Sequence, residues 1–287
     1  MKRVFGSVIL WLLFIILVSG WLTPWIYWSL QEITSHSFPV RRIFNRVLLV
    51  SALIGLWPLI RFWGVTSLKS VGVQKFNSSK KWIDGFAIGL LTMGALGLLH
   101  LYTGAHIIEK SLSFQKSFLF LLMALGVGIV EEFLFRGVLF LGAARFFSSK
   151  QLITWAIGIN FFFALVHFLK APDVASPVTW KTGWVIWSNI WPAWNEDMLW
   201  RFLVLWEVGL LLCSAVWRTR TIWLSAGIHA GWVFLLKSAA ETTHFVGSPS
   251  PFLREDWAGG GAALLLLAGM IFFLLKGVIF TQEKAHV

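Results

Sequence analysis

An apolar run reaches from Phe118 to Phe147, and between Lys116 and Arg145 the only charges are Glu131, Glu132 and Arg136. About 20 such residues cross the hydrocarbon core of a bilayer. No water is available there, so the backbone must satisfy its own hydrogen bonds, and a helix does so within one segment. A charge at that depth costs from about 2.5 to more than 10 kcal/mol. It persists where it is paired or where it does chemistry. On a helix Glu132 and Arg136 stand four apart on one face and can neutralise each other. Glu131 is rotated by about 100° from Glu132, off the face that the pair shares. One glutamate reads as structural and the other as available.

The rest of the chain extends that reading. Hydrophobic residues make up 57% of it and charged residues 13%, which describes an all-α, polytopic membrane helix bundle. Eight segments qualify as spans: 5–29, 47–64, 85–105, 117–147, 153–169, 198–217, 222–240 and 260–281. The first follows Lys2 and Arg3 and reads as an uncleaved anchor. A net charge of +11 would suggest nucleic acid in a soluble protein. Here the basic residues lie between apolar segments, where lipid head groups and topology account for them, so no nucleic-acid partner is expected. Their distribution places both termini in the cytoplasm. The protein is expected to be integral and multi-pass, in the plasma (inner) membrane if the source is bacterial. Cys213 is the single cysteine, so no disulfide framework exists.

The loop 170–197 has a pattern of its own. Trp180, Trp184, Trp187, Trp191 and Trp194 recur at helical spacing, which reads as a segment lying on the head groups, with an aromatic platform for substrate as the rival. Pro192 should interrupt any helix there. Asn195, followed by Glu196 and Asp197, reads as the cap and acidic first turn of the next span.

Two histidines join the candidate chemistry. His167 closes the fifth span, one turn beyond Phe163, and His229 lies well inside the seventh. Polar groups on three spans are stable in a bundle if they converge on one another or on a wet cavity. A carboxylate in a low-dielectric site can take a proton from water. An imidazole can orient that water or donate to a developing oxyanion. Together they suit amide hydrolysis without a covalent intermediate. Zinc is the alternative use of a glutamate and two histidines, although no His-Glu-x-x-His helix is present. Glu207, the remaining intramembrane carboxylate, reads as a buried pair or a protonated acid, with support of a catalytic histidine as the functional rival.

The order Glu131-Glu132-Phe133-Leu134-Phe135-Arg136-Gly137, then Phe163 to His167, then Leu224 to Trp232 after Arg220-Thr221-Ile222-Trp223, resembles the CAAX protease and bacteriocin-processing family of intramembrane glutamate endopeptidases. The resemblance covers about residues 115–240. It implies a catalytic core at 115–240, preceded by N-terminal transmembrane helices at 1–114 and followed by a C-terminal helix and tail at 241–287. It implies that Glu131 activates water, that His167 helps position it, that His229 supports the oxyanion, and that Glu132 with Arg136 braces the site. The family often has asparagine four residues after the last histidine, where this chain has Val233; Asn160 is a candidate substitute by spacing.

The expected function is hydrolysis of a peptide bond in a membrane-associated or lipidated, CAAX-like polypeptide. No cofactor or metal is required by that chemistry, zinc being the alternative. The partners are membrane lipids and the peptide substrate. An inactive scaffold or chaperone of the same fold is one rival, favoured by Val233. A proton-coupled transporter is the other, with Glu131, His167 and His229 as its relay.

Overall fold

The computed structural model describes residues 2–34, 38–74, 79–174, 177–247 and 250–283, with side chains as far as Lys276. Its helices are α1 (Lys2–Ile33), α2 (Val40–Phe62), α3 (Ser79–Tyr102), α4 (Phe114–Glu132), α5 (Ser149–Val166), α6 (Thr182–Asn189), α7 (Glu196–Thr219), α8 (Trp223–Thr242) and α9 (Gly261–Glu283). Two three-residue strands, β1 (His106–Ile108) and β2 (Thr243–Phe245), pair antiparallel. The fold is all-α, and each expected span falls on a helix. By length and composition α1, α2, α3, α4 with its continuation, α5 and α7 are apolar enough to cross a membrane. The chain is therefore a multi-pass membrane protein. The apolar stretch of α9 runs over Gly261–Lys276. The seventh expected span, α8, carries Ser225, His229, Lys237 and Glu241 and is not among those six.

The residues cluster into two compact units, one of residues 1–66 with 165–193 and the other of 67–164 with 194–287. In the smaller unit α1 and α2 form an antiparallel hairpin. The indole N–H of Trp11 donates to the Ala52 carbonyl at 3.1 Å, and that of Trp63 to Ser7 Oγ at 2.9 Å. Helix α6 packs on α1 where Gly183 meets the Gly20 backbone, a distance of approach that leaves no room for a Cβ. It ends at Asn189, ahead of Pro192. The tryptophan stripe is thus broken up. Trp184 lies against Gly20 and Trp187 donates to Ser19 Oγ at 3.0 Å, while Trp180 and Trp191 are exposed. Small residues on α1 admit the Trp184 and Trp187 rings.

The larger unit is organised around α8. Its Gly227 and Gly231 face Gly85 and Gly89 of α3, and at each of the four a Cβ would run into backbone of the other helix. Contacts of residues 85, 89 and 92 with residues 224, 228 and 232 advance together, so the two helices run parallel. In a membrane such small-residue seams replace the hydrophobic effect with close packing. Helix α4 approaches the same helix at Gly128, where a Cβ would be 2.9 Å from the Ala226 carbonyl. Met93, Leu96, Val204, Leu211, Leu212, Ile228, Trp232 and Leu267 form a core shared by α3, α7, α8 and α9. At its start α7 is capped as expected, Asn195 Oδ1 accepting from the Met198 amide at 2.9 Å.

Candidate active site

Helix α4 does not stop at Glu132 but widens over Phe133–Gly142 into a π-helical segment. Such winding is rare and recurs at functional sites. It begins between the two glutamates and Arg136. Glu132 and Arg136 are both fully buried, and Arg136 Nη1 lies 3.0 Å from Glu132 Oε1, so the spacing of four still joins them. That contact is an ion pair off the hydrogen-bonding line. Arg136 Nη2 donates to Asn160 Oδ1 on α5 at 3.3 Å and to the Gly209 carbonyl on α7 at 3.4 Å. One guanidinium therefore ties three helices together.

Helix α8 brings the histidine. His229 Nδ1 is 3.1 Å from Glu132 Oε1, the same oxygen that meets Arg136, and His229 Nε2 is 3.9 Å from Glu131 Oε2. The side chain of Glu131 is 29% exposed and that of Glu132 is not exposed at all. Of the two carboxylates, only Glu131 is open to the surroundings of the protein. An ionised carboxylate only accepts, so toward Glu132 the ring presents Nδ1–H, and Nε2 is the nitrogen directed to the side of Glu131.

Phe163, from the Phe-x-x-x-His motif, lies under the cluster. The Arg136 guanidinium stands 4.2 Å from its ring centroid, and the His229 ring meets it edge-on at 6.3 Å. It is fully buried. Cation–π contact of this kind contributes about 2 kcal/mol or more when desolvated, which helps to hold a charge so deep.

Asn160 is engaged at both ends. Its Oδ1 faces Arg136 and its Nδ2 donates to the Ala156 carbonyl of its own helix at 2.8 Å. The side chain braces the arginine. Val233 follows His229 by one turn of α8 and is partly buried. Glu207 is partly buried in α7, and its Oε2 has no hydrogen-bond partner among the described residues. His167 lies in the exposed turn after α5 and belongs to the smaller unit. In the larger unit Glu131, Glu132, Arg136, Asn160, Phe163 and His229 are gathered together. Among the described residues, no three His, Cys, Asp or Glu side chains are gathered as a metal-ligand set.

Sequence reasoning passed over Gly209. A Cβ there would sit 2.7 Å from Asn160 Oδ1, so glycine is what lets Asn160 and Arg136 reach the α7 backbone. It also passed over the Gly-x-x-x-Gly spacings at 85–89 and 227–231, which were visible in the chain. The second of them brackets His229.

One of the comparisons with known proteins finds a match. Residues 113–235 match the family described as Rce1-like, type II CAAX prenyl endopeptidase Rce1-like. That interval contains every member of the cluster. No curated protein and no solved structure matches the chain.

Proposed function

We propose, from the premise that the chain belongs over residues 113–235 to the type II CAAX prenyl endopeptidase Rce1-like family, that Glu131 activates water to hydrolyse a peptide bond within the membrane. The substrate is a membrane-associated or lipidated, CAAX-like polypeptide. The observation that carries this reading is His229 seated between an inaccessible Glu132 and an accessible Glu131.

Glu131 takes a proton from the attacking water and passes it to the leaving amine. His229, with Nδ1–H given to Glu132, donates from Nε2 to the oxyanion, which requires a second proton on the ring. The charges of Glu131, Glu132, Arg136 and His229 then sum to zero, the balance a low-dielectric site favours. His167 positions the water in this proposal. Arg136, Asn160 and Phe163 hold Glu132 and through it the imidazole, and Glu207 supports the site from α7. We place the catalytic core at 115–240 and the protein in the plasma membrane if the source is bacterial. No step of this proposal passes through zinc.

Val233 supports a second reading, a scaffold of the same fold, since valine has no hydrogen to donate where the family often has an amide. Loss of such a donor costs about 100- to 1000-fold in rate. Purified protein offered a prenylated peptide and its unprenylated counterpart separates the two. Cleavage that persists in a strong chelator and disappears in Glu131→Gln, with the melting temperature retained, is the expected result. Absence of cleavage of either peptide favours the scaffold. Cleavage abolished by the chelator and restored by zinc overturns the metal-free mechanism.

A further inference from the structure

We infer that the hairpin of α1 and α2 carries a binding site for an anionic phospholipid, with one acyl chain in a groove and the phosphate at Lys2 and Arg3. The groove has a volume of about 810 Å³ and is walled by Leu10, Phe14, Ile54 and Trp57, among other apolar residues, with Lys2 and Arg3 at its mouth. Phe14 and Ile54 also border a second apolar groove that continues along the same hairpin. An alkyl chain matches such walls, and a soluble anion does not.

The charge at the mouth selects the head group. Arg3 is held in place, its Nη2 donating to the Phe62 carbonyl at 2.8 Å while the guanidinium stands 4.3 Å from the Phe62 ring centroid. Arg61 is fixed nearby on the Trp57 ring at 4.5 Å. The smaller unit contains only two carboxylates, Glu32 and Asp173. Glu32 lies in the last turn of α1, at the opposite end, and Asp173 pairs with Arg41 at 3.0 Å. Among the residues of the smaller unit, the end that holds Lys2, Arg3 and Arg61 therefore carries cations and no carboxylate. Basic pockets between membrane helices recognise anionic head groups in this way.

Gly6 makes the site testable. It lines the groove, and a Cβ built there meets nothing within 4 Å, so a larger side chain can fill the groove without displacing either helix. The experiment is native mass spectrometry of the full chain, delipidated in detergent. It is titrated with phosphatidylglycerol or with phosphatidylcholine of the same acyl chains. The wild-type protein should bind phosphatidylglycerol more tightly. Lys2→Gln with Arg3→Gln should weaken that binding by about fivefold per charge removed and leave phosphatidylcholine unchanged. Gly6→Leu should weaken both. Equal wild-type affinity for the two lipids overturns the proposal and needs no variant to fold. So does a Gly6→Leu protein that binds both lipids as the wild type does, or displacement of phosphatidylglycerol by soluble glycerol phosphate.

Discussion

Glu132 makes two contacts through one oxygen, to Arg136 at 3.0 Å and to His229 at 3.1 Å. The sequence offered it only the first, because Arg136 is four residues away and His229 is 97. The second contact changes what a substitution should do. Glu132→Gln leaves the Arg136 charge buried without its counterion, and removing one member of a buried pair costs about 3–5 kcal/mol. It also weakens the acceptor that orients the His229 ring. The expected outcome is a lower melting temperature together with a reduced kcat at little altered KM. Glu131→Gln should reduce kcat alone. Thermal unfolding and steady-state kinetics on the two purified variants check this. A stable, inactive Glu132→Gln beside an active Glu131→Gln would reverse the assignment of the two carboxylates.

At the scale of elements, the position of His229 depends on how closely α8 approaches α3. A Cβ on Gly227 would collide with the Trp82 carbonyl, and one on Gly231 would lie 2.7 Å from the Phe86 carbonyl. Gly227→Ala should therefore push the helices apart, at about 1–3 kcal/mol for overpacking, and lower activity as His229 moves from Glu132. Gly126→Ala is the control, since a Cβ there meets nothing within 4 Å. Melting temperatures of the two variants should differ in that order; equal values would remove the seam from the account of the site.

The far end of α8 is tied differently. Glu241 meets Lys110 at 2.7 Å and Lys116 at 2.8 Å. Hydrogen bonds from Lys110 and Lys116 push its carboxyl down from 4.5 to about 2. A depressed carboxyl contributes stability above its unfolded value that is lost as pH falls through the folded one. The contact should accordingly protect β1 and β2 above pH 4.5 and release them toward pH 2. Lys110, raised by the same bond, contributes below its usual value and loses that contribution as pH rises through the raised one. Hydrogen exchange of β1 against pH should show the acid step in the wild type and not in Glu241→Gln.

For the molecule as a whole, the open count is whether α8 crosses the bilayer. Its hydropathy says less than its neighbour does. It runs parallel to α3 along the glycine seam, and α3 is long and apolar enough to span. A helix whose polar residues face other helices need not be apolar on every side. We expect α5, α7 and α8 all to cross, which puts Ser148 and Ser250 on opposite sides. Single cysteines at those positions in a Cys213→Ser background, labelled with an impermeant maleimide, test this. Labelling of both from one side would mean that α8 does not cross.

The helices and the candidate pair were legible because their causes are local. An apolar run of sufficient length has no alternative to helix in hydrocarbon, and a spacing of four puts Glu132 beside Arg136 whatever surrounds them. The packing of the tryptophan stripe was not legible for the complementary reason, since the seats of Trp184 and Trp187 depend on small residues about 165 positions earlier. By itself, then, the sequence determined an all-α membrane bundle, the charged turn at its centre and the N-cap of α7, all set by neighbours within one or two turns. Only the tertiary structure decided that His229 reaches Glu132 rather than Glu131 first, that Asn160 braces Arg136, and that Gly209 makes room for both. Those outcomes depend on where separate helices come to rest, and that is set by the mutual approach of their backbones across lipid, not by spacing along any one of them.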